Sequence, residues 1–417
     1  MKLMKKHTDP NEQQIANDSQ ARAEGKMHLN SAERQNRQRP KEANSQKQIS
    51  VMLELLRSAV FDRDPVLDPS VKVDWDKLMA VSQDHGLLAW VWDGICKLPK
   101  EQQPERQTRI GWAISAQNIW DAYDRQVDVL DNIVRKCAEK EIRVLLLKGI
   151  GLSNLYSKPK SRPSCDIDIY TFDKCEETVS LLTTSQVRYG VNHFMFQYRG
   201  ENIECHDHLL STRTSLQQKV QIYINSTLGD CTLSTLGFYE LPMISNTVYV
   251  LMHILSHFVN PGPDPLRIRS ILDYGMLLIK IREQGKVAEY KKLLCTLELE
   301  CASDLFVRLS EWILQVDLSD YYCEVQDLTN DMEKSKELLF DEKLRHPIFD
   351  EKSFVKQLYQ RLVWHKAVRW RYSYLPSSER LRLPGKIQFQ FHIFVKSLLG
   401  LPFDEPLLKS IKEKRKK

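Results

Sequence analysis

The sequence predicts an α+β fold in which a small mixed sheet forms a core flanked by amino- and carboxy-terminal helical segments. Apolar residues recur at helical spacing before residue 139 and again after Asn246. Between these regions lie short apolar runs and alternating stretches that are typical of strands. With 417 residues, of which 42% are hydrophobic, the chain is long enough to bury a sizeable core.

Shifts in composition and periodicity divide the chain into four segments. Residues 1–48 are polar and nearly lack aromatic and branched apolar side chains, so we expect a disordered leader. Residues 49–138 form an amino-terminal helical segment, and residues 139–215 form the α/β core. Residues 216–417 form a carboxy-terminal helical domain that ends in a basic tail.

Helices are predicted wherever apolar positions recur at steps of three and four residues. In the amino-terminal segment they begin at Ile49 and also cover 75–91 and 109–139. In the carboxy-terminal domain the predicted helices cover 247–259, 266–283, 286–315, 330–340, 353–374 and 386–399.

The core begins with a branched apolar run at 142–147, which predicts a strand that ends at a glycine-containing turn, 149–151. The stretch 166–170 alternates like a half-exposed strand, which places both of its aspartates on one face. The other elements predicted for the core are helices over 152–157 and 175–182 and strands over 194–199 and 203–208, the last two joined by a hairpin loop at 200–202.

Cysteine usage and the amino terminus indicate a soluble protein of the cytoplasm. The nine cysteines form no Cys-x-x-Cys pair, which argues against a zinc ribbon and against a disulfide framework. No apolar segment of signal-peptide type follows the basic start of the chain. We also expect no membrane span, because Lys148 and Lys396 interrupt the most apolar runs.

The charge of the chain does not indicate nucleic acid as a partner. The net charge of +5 is small for this length. Basic and aromatic residues alternate between Trp364 and Tyr374, and basic residues fill the end of the chain, 409–417. Such a pattern is compatible with a polyanion-binding surface, but a packed helix and a solvated tail explain it more simply.

Acidic residues on predicted strands are the first sign of chemistry. Asp166 and Asp168, two positions apart on a strand, project from one face and offer the oxygen ligands that Mg²⁺ prefers. Glu204, on a later strand, is the candidate for a third ligand, completes the catalytic set with Asp166 and Asp168, and could assist deprotonation of a hydroxyl acceptor. His206 follows on the same face. Three such acids can position a triphosphate through two Mg²⁺ ions, with Mn²⁺ as the alternative ion.

Residues suited to phosphate precede the acids. The turn at Gly149 and Gly151 opens a predicted helix, whose free amides and dipole favour phosphate oxygens. Lys148 and Arg162 add positive charge, and Ser153 adds a hydroxyl. We therefore assign nucleotide binding to these five residues together with His206, for which orienting a carboxylate and a purely structural role are the alternatives.

The order of these pieces resembles the uncharacterised nucleotidyltransferase family of the DNA polymerase beta-like superfamily. The likeness rests on four pieces of sequence, in this order: Leu147-Lys148-Gly149, then Leu152 and Tyr156, then Arg162-Pro163-x-x-Asp166-Ile167-Asp168, then Glu204-Cys205-His206. The likeness spans roughly residues 50 to 330. It departs from the wider superfamily at Ile150, where Ser or Gly is usual, and from the family at Asp207, where an aromatic residue is common.

Two residues further along the chain enter only through this resemblance. The family places a histidine and an aspartate on successive helices, which correspond here to His257 and Asp273. We expect both to brace the helical domain against the sheet, with contact to the nucleotide as the alternative. We expect Arg267 and Arg269, which follow a proline-rich break, to be solvated, with contact between Arg267 and the triphosphate as the alternative. His253 and His257 have the spacing of a zinc protease, but the glutamate of that motif is replaced by Ile254.

The hypothesis from sequence is transfer of a nucleoside monophosphate from a nucleoside triphosphate to a hydroxyl or phosphate acceptor, with release of pyrophosphate. The acceptor, whether a small molecule, a sugar or a protein, and the oligomeric state have no signature in the sequence. Two alternatives stay open. One is a glycosyltransferase that holds a sugar nucleotide on Asp166 and Asp168, and the other is an inactive nucleotide-binding or interaction module.

Overall fold

The computed structural model describes residues 46–183, 186–190, 192–211, 214–259, 265–323, 327–341, 369–376 and 379. All but the last three residues of the predicted leader lie outside these ranges. Outside them too lie the basic tail, the predicted helix 386–399 and most of the predicted helix 353–374, of which 369–374 form a 3₁₀ helix. Within the described residues the predicted α+β fold is confirmed, because helices flank a mixed sheet of seven strands.

The amino-terminal helices are α1 (46–60), α2 (Trp75–Asp84), α3 (Leu88–Lys97) and α4 (Arg106–Ala138). The single helix predicted over 75–91 is wrong, since two helices meet at Gly86, whose φ of 70° is incompatible with a continuous helix. The long helix α4 lays its last turns on the sheet, where Val129, Ile133 and Val134 join one core cluster with the central strands. This contact covers one face of the sheet.

The sheet has the order β3-β4-β5-β2-β1-β7-β6. Its strands are β1 (Leu145–Leu146), β2 (Ile167–Tyr170), β3 (Arg188–Tyr189), β4 (His193–Tyr198), β5 (Glu201–His206), β6 (Thr232–Leu233) and β7 (Tyr239–Glu240). The central pair, β2 and β5, is parallel, and each of its members has an antiparallel neighbour on its other side. The register of the parallel pair places Asp168 opposite Glu204.

Several strand predictions need correction. The first strand pairs over two residues only, and β3, β6 and β7 were not predicted because each is a two-residue strand without a period to detect. The hairpin loop is Arg199 and Gly200 alone, with φ values of 51° and 88°, while Glu201 and Asn202 already belong to β5. A two-residue loop with both residues left-handed fits the twist of the flanking strands.

The strand β2 is buried on both faces, so the half-exposed strand predicted at 166–170 is wrong. Ile167 and Ile169 pack in the cluster that contains α4, and Tyr170 belongs to the larger cluster formed with the carboxy-terminal helices. Asp168 shares the face of Tyr170 and is 1% exposed. The alternation of polar and apolar residues in β2 therefore reflects a buried polar site, and not a face open to solvent.

The carboxy-terminal helices are α6 (Ser215–Thr227), α7 (Met243–Val259), α8 (Ile268–Glu283), α9 (Val287–Leu297), α10 (Glu300–Leu314) and α11 (Thr329–Phe340). The helix predicted over 286–315 is two helices, since Glu298 adopts a left-handed conformation with φ of 59°. None of the helices in the described ranges combines the length and the apolar character needed to cross a membrane.

Candidate active site

Three carboxylates meet where β2 and β5 run side by side. Asp166 lies just before β2, Asp168 lies within it, and Glu204 is the register partner of Asp168 on β5. One carboxylate oxygen from each residue lies within 4.8 Å of the other two. The structure thus brings together the three acids that the sequence singled out, and we call them the acid cluster.

Asp168 is the buried centre of the acid cluster. Its Oδ1 accepts a hydrogen bond from Nε2 of His206 at 3.0 Å and lies 3.2 Å from Nζ of Lys148. Burial alone would raise the pKa of Asp168, but the Lys148 ammonium and His206 hold the pKa below its usual range. Its Oδ2 is buried and has no hydrogen-bond partner among the described residues. A carboxylate oxygen in that position is suited to a cation.

The electrostatic environment of the other two acids also favours a bound cation. Burial raises the pKa of Glu204 to about 7, and the Asp168 carboxylate adds to the increase. Burial raises the pKa of Asp166 as well, again with a contribution from Asp168. Three carboxylates this close repel one another, and a divalent cation among them removes that repulsion. The residues present therefore fit a divalent metal ion.

A tight glycine turn passes directly beside the acids. The chain leaves β1 at Lys148 and enters a 3₁₀ helix, Gly149–Leu155, in place of the predicted helix 152–157. Gly149 has a φ of 59°, and a Cβ atom there would lie 2.8 Å from Oγ of Ser164 and 3.4 Å from Oδ2 of Asp168. Glycine is required at this position, since any side chain would be strained and would intrude on the acids.

Lys148 and two residues of α7 lie on the helical side of the acid cluster. Burial would lower the pKa of Lys148, but Asp168 more than offsets this and holds that pKa above its usual range. Burial and the charge of Lys148 keep the pKa of His253, on α7, well below its usual range, so this imidazole is neutral. Tyr249, one turn earlier on α7, is fully buried in the same region. Of these three groups, Lys148 is therefore the one that carries a positive charge beside the acid cluster.

A sequence model of the uncharacterised nucleotidyltransferase family matches residues 71–315, more than half of the chain, and includes the whole acid cluster. The chain belongs to this family. Membership supports nucleotidyl transfer as the general activity and a nucleoside triphosphate as the substrate class. No curated protein and no solved structure shows a significant match to the chain.

Two residues that the sequence assigned to nucleotide binding are bonded to protein groups in this nucleotidyltransferase. The hydroxyl of Ser153 is 1% exposed and donates to the carbonyl of Ile150 at 2.7 Å. Arg162 is buried and donates from Nε to Oδ1 and from Nη2 to Oδ2 of Asp273, at 3.0 and 2.7 Å. These contacts point to structural roles for both residues.

Asp273 ties α8 to the loop before β2. Besides the two bonds from Arg162, its Oδ1 accepts a hydrogen bond from the hydroxyl of Tyr156 at 2.6 Å. We call Tyr156, Arg162 and Asp273 the buried clamp. The expectation that Asp273 braces the helical domain against the sheet is confirmed by these bonds. The ring of His257 contacts His253, one helical turn away, with centroids 4.6 Å apart.

Arg269 is a candidate site residue that sequence analysis misjudged as solvated. Its Nη1 donates to the carbonyl of Pro163 at 2.7 Å, and its Nε is buried with no hydrogen-bond partner among the described residues. Burial, assisted by the charge of Arg162, lowers the pKa of Arg269 to about 10. Its spacing of four residues from Asp273 on one helix was the available signal, because such residues share a face.

Histidines line the other side of Glu204. His193 on β4 pairs with His206 on β5, and their ring centroids lie 5.1 Å apart. Nε2 of His193 lies 3.6 Å from Oε1 of Glu204. Burial lowers the pKa of His193 to about 4, with His206 contributing, so His193 is neutral at physiological pH. No spacing in the sequence indicated His193, since the hairpin alone brings it to the site.

Proposed function

We propose that this nucleotidyltransferase moves a nucleoside monophosphate from a nucleoside triphosphate to a hydroxyl or phosphate acceptor and releases pyrophosphate. Asp166, Asp168 and Glu204 would hold Mg²⁺, with Mn²⁺ as a substitute. The observation that carries the proposal is the convergence of these three carboxylates, with the buried and unpartnered Oδ2 of Asp168 at their centre. When bound, the metal ions would neutralise the triphosphate and align the attacking and leaving oxygens.

The donor side of the proposed site is formed by Lys148, Gly149 and Arg269. Lys148 supplies a positive charge 3.2 Å from Asp168, and the glycine turn leaves room for a phosphate to approach the acids. Arg269 has an Nε without a hydrogen-bond partner among the described residues, and its charge offsets part of the rise that burial causes in the pKa of Asp166. We assign binding of the triphosphate to these three residues. A Cβ atom at Gly151 would lie 3.2 Å from Cγ of Leu146, so we assign Gly151 a packing role.

The acceptor side is formed by Glu204, whose side chain is 21% exposed while that of Asp168 is 1% exposed. For a hydroxyl acceptor, Glu204 would take the hydroxyl proton as the oxygen attacks the α-phosphorus. The bond from the α-phosphorus to the bridging oxygen then breaks, and pyrophosphate leaves with the electron pair of that bond. His206 would hold Asp168 in place through its 3.0 Å hydrogen bond and need not touch the nucleotide.

The position of the acids on a parallel strand pair, preceded by the glycine turn, is also the basis for assigning the core to the DNA polymerase beta-like superfamily. We keep the division into 49–138, 139–215 and 216–417 as part of the proposal. The strands β6 and β7 lie beyond residue 215 and extend the sheet of this core.

Calorimetric titration with a nucleoside triphosphate and Mg²⁺ tests the proposed site. We expect binding by the full-length protein and loss of Mg²⁺-dependent binding in Asp166→Ala and Asp168→Ala. Asp173→Asn is the matched control, because Asp173 is an exposed carboxylate just after β2 and should bind like the unaltered chain. Unchanged binding in both alanine variants would refute the metal site.

The acceptor is identified by a second measurement. Each of the four nucleoside triphosphates is incubated with the protein, Mg²⁺ and a cell extract, and products are followed by pyrophosphate release and mass spectrometry. Tight binding of a nucleoside diphosphate sugar with Mn²⁺, without pyrophosphate release, would favour a glycosyltransferase. Binding without turnover across all triphosphates and extracts would favour an inactive module.

A further inference from the structure

Glu204 is shared between the acid cluster and two histidines. Nε2 of His193 lies 3.6 Å from its Oε1, and Nε2 of His206 lies 3.7 Å from its Oε2. One ligand atom from each of the three side chains lies within 4.8 Å of the other two. We call His193, Glu204 and His206 the histidine cluster. It adjoins Asp168, whose Oδ1 is 3.0 Å from Nε2 of His206.

The orientation of His193 is fixed by Asn192. The amide Nδ2 of Asn192 donates to the carbonyl of His208 at 2.7 Å, which leaves its Oδ1 facing Nδ1 of His193 at 3.4 Å. An amide oxygen only accepts, so Nδ1 of His193 carries the proton. Nε2 of His193 is then the nitrogen without a proton, and it lies 3.6 Å from Oε1 of Glu204. Once Glu204 is ionised, both atoms are acceptors, and a cation between them would stabilise the pair.

Gly190 lies against one face of the His193 ring. A Cβ atom at this position would lie 2.6 Å from Nε2 of His193 and 2.8 Å from its Cε1. Any other residue at position 190 would therefore clash with the imidazole and displace it. The side chains of His193 and Glu204 are 17% and 21% exposed, so the histidine cluster is reached from solvent. The buried His206 lies on its inner side.

We propose that the histidine cluster is a binding site for a zinc-class transition metal ion, which differs from the acid cluster in its two imidazole ligands and shares Glu204 with it. Ligands about 2.0–2.1 Å from a tetrahedral ion lie about 3.3 Å apart. The imidazole nitrogens of His193 and His206 lie 3.6 and 3.7 Å from Oε1 and Oε2 of Glu204, respectively. Two imidazole nitrogens favour zinc, cobalt or nickel over magnesium. Binding would release the Nε2 proton of His206 to solvent, and Oδ1 of Asp168, 3.0 Å from that nitrogen, would be the candidate for a fourth ligand.

The site does not require the proposed reaction, because its ligands bind the ion whether or not a triphosphate is bound. Metal-free full-length protein is titrated with Co²⁺ alone, and the visible absorption of tetrahedral Co²⁺ is recorded. We expect one equivalent to bind and Zn²⁺ to displace it. His193→Ala and the size-conserving His193→Gln should each weaken Co²⁺ binding at least about tenfold, since each removes a ligand.

Two controls separate this inference from the proposed function. His208→Ala removes an exposed imidazole two residues from His206 and should leave the Co²⁺ spectrum and affinity unchanged. Asp166→Asn removes an acid outside the histidine cluster and should also retain the Co²⁺ spectrum, while losing Mg²⁺-dependent triphosphate binding. Co²⁺ binding by both His193 variants with the affinity of the unaltered chain would overturn the site. A loss of equal size in His208→Ala would do the same.

Discussion

Replacing Glu204 by glutamine should remove part of the pH dependence of the stability of the metal-free protein. Burial raises the pKa of this carboxyl from 4.5 to about 7. Below pH 4.5 the group is protonated in the folded and unfolded states, and its contribution to stability is fully present. As the pH rises through 7, the folded protein must ionise a buried carboxyl beside Asp168, and that contribution is lost. Glutamine cannot ionise, so the Glu204→Gln variant keeps this contribution to stability at high pH.

The magnitude follows from the two pKa values. Between 4.5 and about 7, each pH unit is worth about 1.4 kcal/mol, which gives a total of about 3 kcal/mol. The free energy of unfolding of Glu204→Gln should therefore gain about 3 kcal/mol over that of the unaltered protein between pH 4.5 and pH 8.5, so the variant is relatively more stable at the higher pH. Excess Mg²⁺ should narrow this gap at pH 8.5, because the ion would stabilise the ionised carboxylate of the unaltered protein.

Urea unfolding followed by circular dichroism, in a chelator and at both pH values, measures this gap. Glu176→Gln is the matched control, since it removes an exposed carboxylate on the helix Cys175–Leu182 (α5) and should show no comparable change with pH. A difference between Glu204→Gln and the unaltered protein that is the same at both pH values would refute the electrostatic description of the acid cluster.

Three further predictions concern the groups around the acids. Gly149→Ala should destabilise the protein by about 1–3 kcal/mol in urea unfolding, because φ is 59° and the new Cβ meets Ser164; an unchanged midpoint would contradict this. Tyr156→Phe should cost about 1–2 kcal/mol by losing its bond to Asp273, with calorimetric triphosphate affinity unchanged; a binding defect at normal stability would assign Tyr156 to the site. Lys148→Met should weaken Mg²⁺-triphosphate binding at least about tenfold in calorimetry, and equal affinity would remove Lys148 from the donor side.

The acid cluster could be predicted from sequence because it depends on local spacing. Asp166 and Asp168 are two residues apart, and the alternation of a strand fixes their common face. Glu204 was predicted from its own strand, and the parallel pairing of β2 with β5 brings it to Asp168. The turn at Gly149 was predicted as well, although its helix is of the 3₁₀ type and begins three residues earlier.

Features that depend on long-range packing were not visible in the sequence. The role of Arg162 was misjudged, because its partner Asp273 is 111 residues away and no local pattern connects the two. Arg269 was expected to be solvated, yet its position one turn before Asp273 turns it inward. His193 reaches Glu204 only through the two-residue hairpin, and the loop predicted there was one residue too long. In each case the tertiary contact, and not the local preference, decides the outcome.

The buried clamp has a consequence for how the protein is made on the ribosome. Arg162 is synthesised 111 residues before Asp273, so the strands of the site emerge long before the carboxylate that pairs with this guanidinium. Leaving one member of a buried ion pair alone costs about 3–5 kcal/mol, a large share of the stability of an ordinary domain. The nascent chain therefore cannot complete the loop beside the acids until α8 has left the ribosome, and the site is assembled only after most of the family-matched region has been translated.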